Sequence, residues 1–477
     1  MVEIGSGKGG IGAALLILAS SMAIPSCASL KTQQQQYAES IPLVRSGKYR
    51  QASLVIQEAR RSAYRKKDRV LYYLDLGMLY HWAGEYELSN ELLTQAEYAI
   101  EELFTASLSK AVASGLLNDN LLDYSGEDYE DIYLNLFKAL NYIALGDKES
   151  ALVEIRRVQI KMNLLEDKRR RSIEAYNNSE GAGGEILPEE TPLHNDALAR
   201  YVGLLLYRAQ GFSDDARIEK ELIDEAWKTQ GQLYDFPRPS LPIVKLPDEG
   251  EAVVNFLAFS GLSPTKLADT LLVRTGKNMV FLAMTGQNED YVTELIGFNT
   301  LVIPDVREGI HFKVQFPRLS KRSSAVDRIV VKVDGVEYTE LELLESMEKL
   351  SEEAFKLKQP LTVGKTIIRA TLKTVSKEAG KEMINKELNE MGTGGAIAGF
   401  FTNLAVDIAV DATENADLRV SQFFPASAHV AELVLTPGSY HIAVEYWSSN
   451  RLLEEIDYGI RHFRSYELNF IESYLLQ

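Results

Sequence analysis

A chain of 477 residues with 45% hydrophobic and 25% charged side chains carries enough apolar material for two or three packed domains, which excludes a chain disordered throughout and a polytopic membrane protein. A net charge of −17 and a pI near 5.0 repel phosphate backbones, and no basic stripe with interleaved aromatics offsets them, so nucleic-acid binding is set aside. One cysteine, Cys27, permits neither an internal disulfide nor a thiolate metal site.

The first residues, Gly5-Ser6-Gly7-Lys8-Gly9-Gly10-Ile11-Gly12, have the look of a phosphate-cradling loop. A Walker loop needs G-x-x-x-x-G-K-[ST] between a strand and a helix, yet Lys8 is followed by Gly9 and only four residues precede Gly5. The partition-ATPase variant begins well but runs into Ala13-Ala14, and Gly364-Lys365-Thr366 has Gln359 where the upstream glycine belongs. No nucleotide is expected. Residues 11–26 are instead an uncharged apolar run ending in Ile24-Pro25-Ser26-Cys27-Ala28, with Lys8 as a short positive region ahead of it. This describes an export signal, too short for a comfortable membrane span.

With cysteine directly after Ser26, the segment resembles the bacterial lipobox, although Pro25 is an uncommon residue there. The resemblance implies cleavage before Cys27 and acylation of Cys27 with diacylglycerol and palmitate. With Ala28 rather than Asp next, it also implies sorting to the outer membrane of a diderm bacterium, facing the periplasm. A plain cleaved signal, an uncleaved anchor or a cytoplasmic N-terminus remain the alternatives. On the lipoprotein reading, 1–26 is the signal peptide and 27–36, with its run Lys31-Thr32-Gln33-Gln34-Gln35-Gln36, is the lipidated cysteine and a flexible tether.

Residues 37–235 read as helical. Tyr73, Leu76, Gly77, Tyr80, Gly84, Ser89, Leu93 and Ala96 follow the spacing of the tetratricopeptide (TPR) unit, two helices joined at a turn glycine. Gly77 and Ser89 let the helices approach, while Tyr80 and Leu93 fill the space between them. Gly47, Gly146 and Gly211 mark similar turns, spaced from Gly84 and from one another by 37, 62 and 65 residues, so the later units are separated by extra segments. A solenoid of this kind offers a concave groove for an extended or helical partner segment. Between units, Asp123-Tyr124-Ser125-Gly126-Glu127-Asp128-Tyr129-Glu130-Asp131 lacks the ligand order of a calcium loop and reads as an acidic helix start. Lys168-Arg169-Arg170-Arg171 reads as a solvated helix end, and 177–192 as a surface loop.

The proline-dense Phe236-Pro237-Arg238-Pro239-Ser240-Leu241-Pro242 cannot continue a helix and marks a change of domain. Residues 245–477 read as β-rich α+β, with strands near 252–259, 279–284, 300–303, 312–316 and 328–333, the last ending at the hairpin dipeptide Asp334-Gly335. Helices are expected over 340–357 and 366–391. The weakly polar stretch 392–410, with Gly395 and Gly399 four apart, is assigned to a core helix because Asn403 and Asp407 make a membrane depth costly, with a membrane-touching role as the alternative. Consecutive antiparallel strands over 430–435, 440–446, 452–458 and 465–471 complete a small sandwich or a strand layer. The expected fold is thus α+β, a TPR-like helical solenoid followed by a mixed α/β domain with C-terminal antiparallel strands.

His81, His194, His311, His429, His441 and His462 are scattered without zinc-ligand spacing, and no G-x-S-x-G elbow appears. No catalytic residue, metal or cofactor is expected. The chain resembles a family of bacterial envelope lipoproteins with TPR-like N-terminal halves. The resemblance rests on 124–130, on Ala139-Leu140-Asn141-Tyr142-Ile143-Ala144-Leu145-Gly146-Asp147 with Val153-Glu154-Ile155-Arg156-Arg157, and on Ala416-Asp417-Leu418-Arg419 before Phe424-Pro425. Val420-Ser421-Gln422 departs from the tryptophan-bearing segment the family would place there. What it implies is location and role: an outer-membrane-anchored periplasmic scaffold binding envelope proteins through its TPR-like half. The alternatives are a structural subunit of a secretion or surface-appendage apparatus, and an envelope enzyme or its activator.

Overall fold

The computed structural model describes residues 33–114, 122–178, 195–246, 250–288, 293–302, 308–309, 311–322, 324–374 and 412–477. The expected export signal, Cys27, His194, most of the expected loop 177–192 and the stretch 392–410 lie outside them.

Among the described residues, the helical half has four packed pairs: α1 (Gln33–Arg45) with α2 (Tyr49–Ala59), α3 (Arg69–Trp82) with α4 (Tyr86–Ser114), α5 (Asp128–Ala144) with α6 (Lys148–Asn177), and α7 (Ala197–Ala209) with α8 (Ser213–Thr229). Their four turns are built alike. Gly47, Gly84, Gly146 and Gly211 have φ of 70°, 74°, 79° and 81°. Each glycine N–H bonds to the carbonyl three residues back, and the next N–H reaches five residues back, to Leu43, Tyr80, Tyr142 and Tyr207. That pair of bonds is the Schellman closure, which seats glycine because other side chains are strained at positive φ. Five residues past each glycine comes a fully buried small side chain: Ala52, Ser89, Ala151 and Ala216. In the second pair, a Cβ on Gly77 would stand 2.8 Å from Leu93 Cδ2, and Ser89 Oγ donates to the Gly77 carbonyl at 2.8 Å. Leu76, Tyr80, Leu93 and Ala96 are buried there and Tyr73 is half-buried.

The glutamine run expected as tether is instead the first turn of α1, with Gln36 buried. Glutamine is a good helix former, and Tyr37 beside it packs edge-on against Phe423, which gives the turn a core to dock on.

After the irregular segment 236–242, β1 (Ala252–Ser260) pairs antiparallel with β10 (Ser427–Leu435) and parallel with β13 (Asn469–Leu475); β8 (Glu342–Ser346) pairs with the far edge of β10. A second sheet has the order β12 (Arg451–Phe463), β11 (Gly438–Ser448), β6 (Arg328–Val333), β7 (Val336–Glu340). The two pack face to face through Val254, Phe256, Ile329, Val331, Leu433, Ile442, Val444 and Tyr446. The opposite face of β1, with Leu257 and Phe259, joins the core of the helices. All nine residues of β1 are therefore buried, since the strand is covered on both sides. The class of structure changes at the proline segment, but the core does not divide there.

Two expectations need correction. Residues 342–346 form β8 rather than the start of a helix, because pairing with β10 buries Leu344 and Glu345 and overrides local propensity; helix α9 (Met347–Thr374) follows and runs unbroken past position 360. Of the last strands, β11 and β12 are consecutive antiparallel neighbours as expected, but they belong to the second sheet, while β10 stays in the first and β13 returns to cover the open edge of β1 in parallel.

A third sheet has the order β4 (Thr293–Val302), β3 (Met279–Gln287), β2 (Thr265–Gly276), β5 (His311–Ser320), β9 (Ala412–Glu414). Its β3–β4 arm leaves Met279, Met284, Leu295, Ile296 and Phe298 exposed. Among the described residues, no helix is long and apolar enough to cross a membrane.

Candidate functional site

Helices α3, α5 and α7 meet the first sheet, through His81 and Glu472, Phe137 and Phe259, and Arg208 with Glu432 and Asn255. Between β9 and β10 the chain runs without regular structure, and from position 420 to 424 every residue of this strap is buried against α1, α3 and α5. Phe423 meets Tyr37, and Phe424 meets Tyr129 and Phe137. The indole Nε1 of Trp82 donates to the Phe423 carbonyl at 2.9 Å.

Two fully buried carboxyls grip the strap by its backbone. Glu130 accepts the Ser421 N–H at 2.6 Å, the Tyr124 hydroxyl at 2.7 Å and the Glu127 N–H at 2.7 Å, the last closing the capping box that starts α5. Asp75 accepts the Ser421 hydroxyl at 2.8 Å and the Gln422 N–H at 3.2 Å on one oxygen, and the Tyr37 and Tyr64 hydroxyls on the other. Upstream, Arg419 donates to Asp68 at 3.0 Å and to Asp417 at 2.7 Å, with its guanidinium 5.2 Å from the Tyr124 ring centre. Lys266 on β2 donates to Glu127 at 2.5 Å and to the Arg419 carbonyl at 3.1 Å, while Lys358 on α9 holds the other Glu127 oxygen.

Burial pushes Asp75 up to about 6, against the lowering effect of its four donors. Burial and the Glu127 charge raise Glu130 to about 7. Burial would raise Glu127 as well, but Lys266 and Lys358 overcome it and hold that carboxyl below its usual range. The charges that have a cation stay charged, and the two carboxyls facing the strap keep an affinity for protons near neutrality.

Further fastenings tie the inner helices to the sheet. His81 on α3 lies 2.8 Å from Glu472 on β13 and 2.6 Å from Asn141 on α5. Arg208 on α7 donates to Glu432 on β10 and Asn255 on β1, both at 2.6 Å. Tyr234 donates to Glu345 on β8, which faces Asp196 at the start of α7; burial raises both carboxyls, with the Asp196 charge adding to the rise at Glu345. Trp82, Phe137, Phe259 and Tyr474 form an aromatic block at the same junction.

One arrangement has the outline of nucleophile beside base: Ser427 Oγ lies 3.1 Å from His429 Nε2 and 2.8 Å from Ser260 Oγ. Burial lowers the His429 imidazole to about 4, so the ring is a poor proton acceptor at neutral pH. Among the described residues, no group of three or more His, Cys, Asp or Glu is placed to hold a metal ion.

The face of α1, α3 and α5 is occupied by the chain's own strap. The acidic run 123–131 does start a helix, with Glu127 capping α5 and Asp128, Glu130 and Asp131 in its first turn, but Glu127, Glu130 and Asp131 are buried, and Lys161 and Lys168 pair with Asp131. Of the basic run, Arg170 and Arg171 are exposed and pair locally with Asp167 and Glu174, but the run is not a helix end: α6 continues past it to Asn177. The TPR-pattern residues lie at the α3–α4 crossing, away from the strap. The residues that grip it, Asp75, Trp82 and Glu130, carry no mark of that role in the sequence, where they stand more than 290 positions from their partners.

No protein-family model matches the chain, and no curated protein does. Among solved structures, it is similar to two crystal structures of nearly identical TPR-like repeats from a candidate kinesin light chain of Podosopora anserina, one of them a single-substitution form. Each is 14% identical and covers 43% of this chain and 96% of the other, with TM-scores of 0.20 and 0.21. At that level the likeness adds nothing to the helical pairs described above.

Proposed function

We propose that this chain is a non-catalytic interaction scaffold, held on the periplasmic side of an outer membrane by acyl chains on Cys27, and serving a cell-envelope assembly. The observation that carries the scaffold role is the β3–β4 arm. β3 bears no charged residue, β4 bears only Glu294, and Leu295, Ile296 and Phe298 stand 66%, 57% and 64% exposed. Exposed apolar side chains at three of four successive positions, in a chain of net charge −17, favour a protein partner there. The anchor is supported by the export signal and by cysteine following Ser26.

Palmitate labelling with membrane fractionation tests the anchor: the wild-type chain is labelled and sediments with membranes, and Cys27→Ser is neither. An unlabelled wild-type chain overturns it. A photo-cross-linker at position 298 tests the scaffold: a discrete cross-linked partner is expected, lost in Leu295→Asp/Ile296→Asp. The appendage-subunit reading gains from β4 lying at a sheet edge among the described residues. It requires the cross-linked partner to be a second copy and the detergent-solubilised species to exceed the monomer mass.

A further inference from the structure

The strap is held in the way a groove holds a peptide, by bonds to main-chain groups and seats for particular side chains. Glu130 and Asp75 take the amides of 421 and 422, and Trp82 takes the carbonyl of 423. These three bonds read only main-chain groups, along a segment that bends at 422 and 424. Selectivity comes from Arg419 on Asp68, the Ser421 hydroxyl on Asp75, Phe423 against Tyr37 and Phe424 against Tyr129 and Phe137.

The strap is one of several ties at the junction. Its ends are fixed independently, by β9 on β5 and by β10 between β1 and β8. The halves stay joined without it through His81 with Glu472, Arg208 with Glu432, and Trp82 with Phe259 and Tyr474. Leaving as a loop would also cost the strap its bonds to the β-rich half, from the Ser263 N–H to the Phe424 carbonyl at 2.8 Å, from Arg322 to the Gln422 carbonyl at 2.8 Å and from Gln422 Nε2 to Thr265 at 3.0 Å, while these other ties remain.

We propose that the inner face of α1, α3 and α5 is a peptide-recognition groove whose resident ligand is the chain's own segment 417–424. From a partner it accepts a segment of the same chemistry: an arginine, a serine two positions on, and aromatics at the fourth and fifth positions after the arginine. Tethering gives the resident segment an effective concentration in the millimolar range, so the groove is closed to a partner until the strap is displaced. This inference needs neither the lipid on Cys27 nor the arm, and its failure leaves both untouched.

The probe is a labelled synthetic peptide of residues 415–426 (NADLRVSQFFPA) titrated by fluorescence anisotropy into the full chain. The variant Phe423→Ser/Phe424→Ser, with a weakened strap and an intact groove, is expected to bind it at least tenfold more tightly than the wild-type chain. Adding Asp75→Ala to that variant reverses most of the gain, and a scrambled peptide does not bind. A strap variant that retains its helical circular-dichroism signal yet binds neither peptide, or both equally, overturns the proposal. Should the variant not fold, hydrogen exchange on the wild-type chain decides. Millimolar peptide then accelerates exchange of the strap amides several-fold, and unchanged exchange at saturating peptide overturns the proposal.

Discussion

At the junction of the two halves, Asp75, Glu130, Lys266 and Arg419 are all buried, whereas on the β3–β4 arm Leu295, Ile296 and Phe298 face outward. Charge is inside and apolar surface is outside, which reverses the usual arrangement. The reversal has a different meaning in each place. A buried charge loses several kcal/mol of hydration, which is recovered only when its partners stand in one geometry. The junction therefore specifies a single docking of helices on sheet. An exposed apolar strand gains nothing from the fold it belongs to, and its composition makes sense against something that covers it. Substitutions should separate the two: costly at the junction, silent for folding on the arm.

The largest effect is expected at Arg419. Its removal leaves Asp68 and Asp417 without their guanidinium, and breaking a buried pair from one side costs about 3–5 kcal/mol. Arg419→Ala should lower the urea midpoint accordingly. An unchanged midpoint would mean that the pairing is dispensable and the junction is held by its aromatics.

The pH dependence sharpens the same point. Asp75 and Glu130, at about 6 and about 7, bind protons more tightly folded than unfolded, where 3.8 and 4.5 apply. Their contribution to stability is full below about pH 4 and is lost as pH climbs through 6 and 7, on the order of 3 kcal/mol for each carboxyl. Glu97 runs the other way. Burial would raise it, but Lys161, Lys138 and Asn135 hold it at about 2, so its contribution is present above 4.5 and lost as pH falls toward 2. In Asp75→Asn/Glu130→Gln, the decline of the denaturation midpoint between about pH 5 and 8 should flatten while the acid limb stays. A wild-type midpoint that rises over that range contradicts the assignment.

Within the helical half, Gly77→Val should cost about 1–3 kcal/mol, because its Cβ would stand 2.8 Å from Leu93 Cδ2. Leu93→Ala in the same chain should relieve part of that cost, a non-additivity that a calorimetric double-mutant cycle detects.

Gly77 was legible in the sequence, and so were the four turn glycines, for one physical reason: each requirement is local. A Schellman turn needs positive φ at one residue, and a close helix crossing needs a missing side chain within a short stretch of its neighbour. The change from helix to strand at Pro237-Arg238-Pro239 was legible on the same ground. The junction was not. Glu130 looks like an acid in the first turn of a helix, a pattern that surface helices share, and what makes it different is Ser421, 291 residues later. The one signal available was alternation: Tyr124 and Tyr129 stand among the acids of 123–131, and phenols among carboxyls are a poor choice for a solvated face. β8 was misread for a related reason, since Glu342–Ser346 has no strand character apart from its partner β10.

The smallest expected effect on stability is on the arm, and it bears most directly on function. Leu295, Ile296 and Phe298 are more than half exposed, and Phe298 stacks on the Phe281 ring at 6.4 Å. Replacing all three by threonine keeps strand-compatible side chains and removes the apolar surface, so each change should alter stability by no more than about 0.5 kcal/mol. If the arm is a contact surface, that triple variant unfolds at the wild-type midpoint while its cross-link to a partner disappears. If instead stability falls by several kcal/mol, the three side chains are covered within the folded chain itself. The arm then belongs to the interior, and the contrast with the junction is lost.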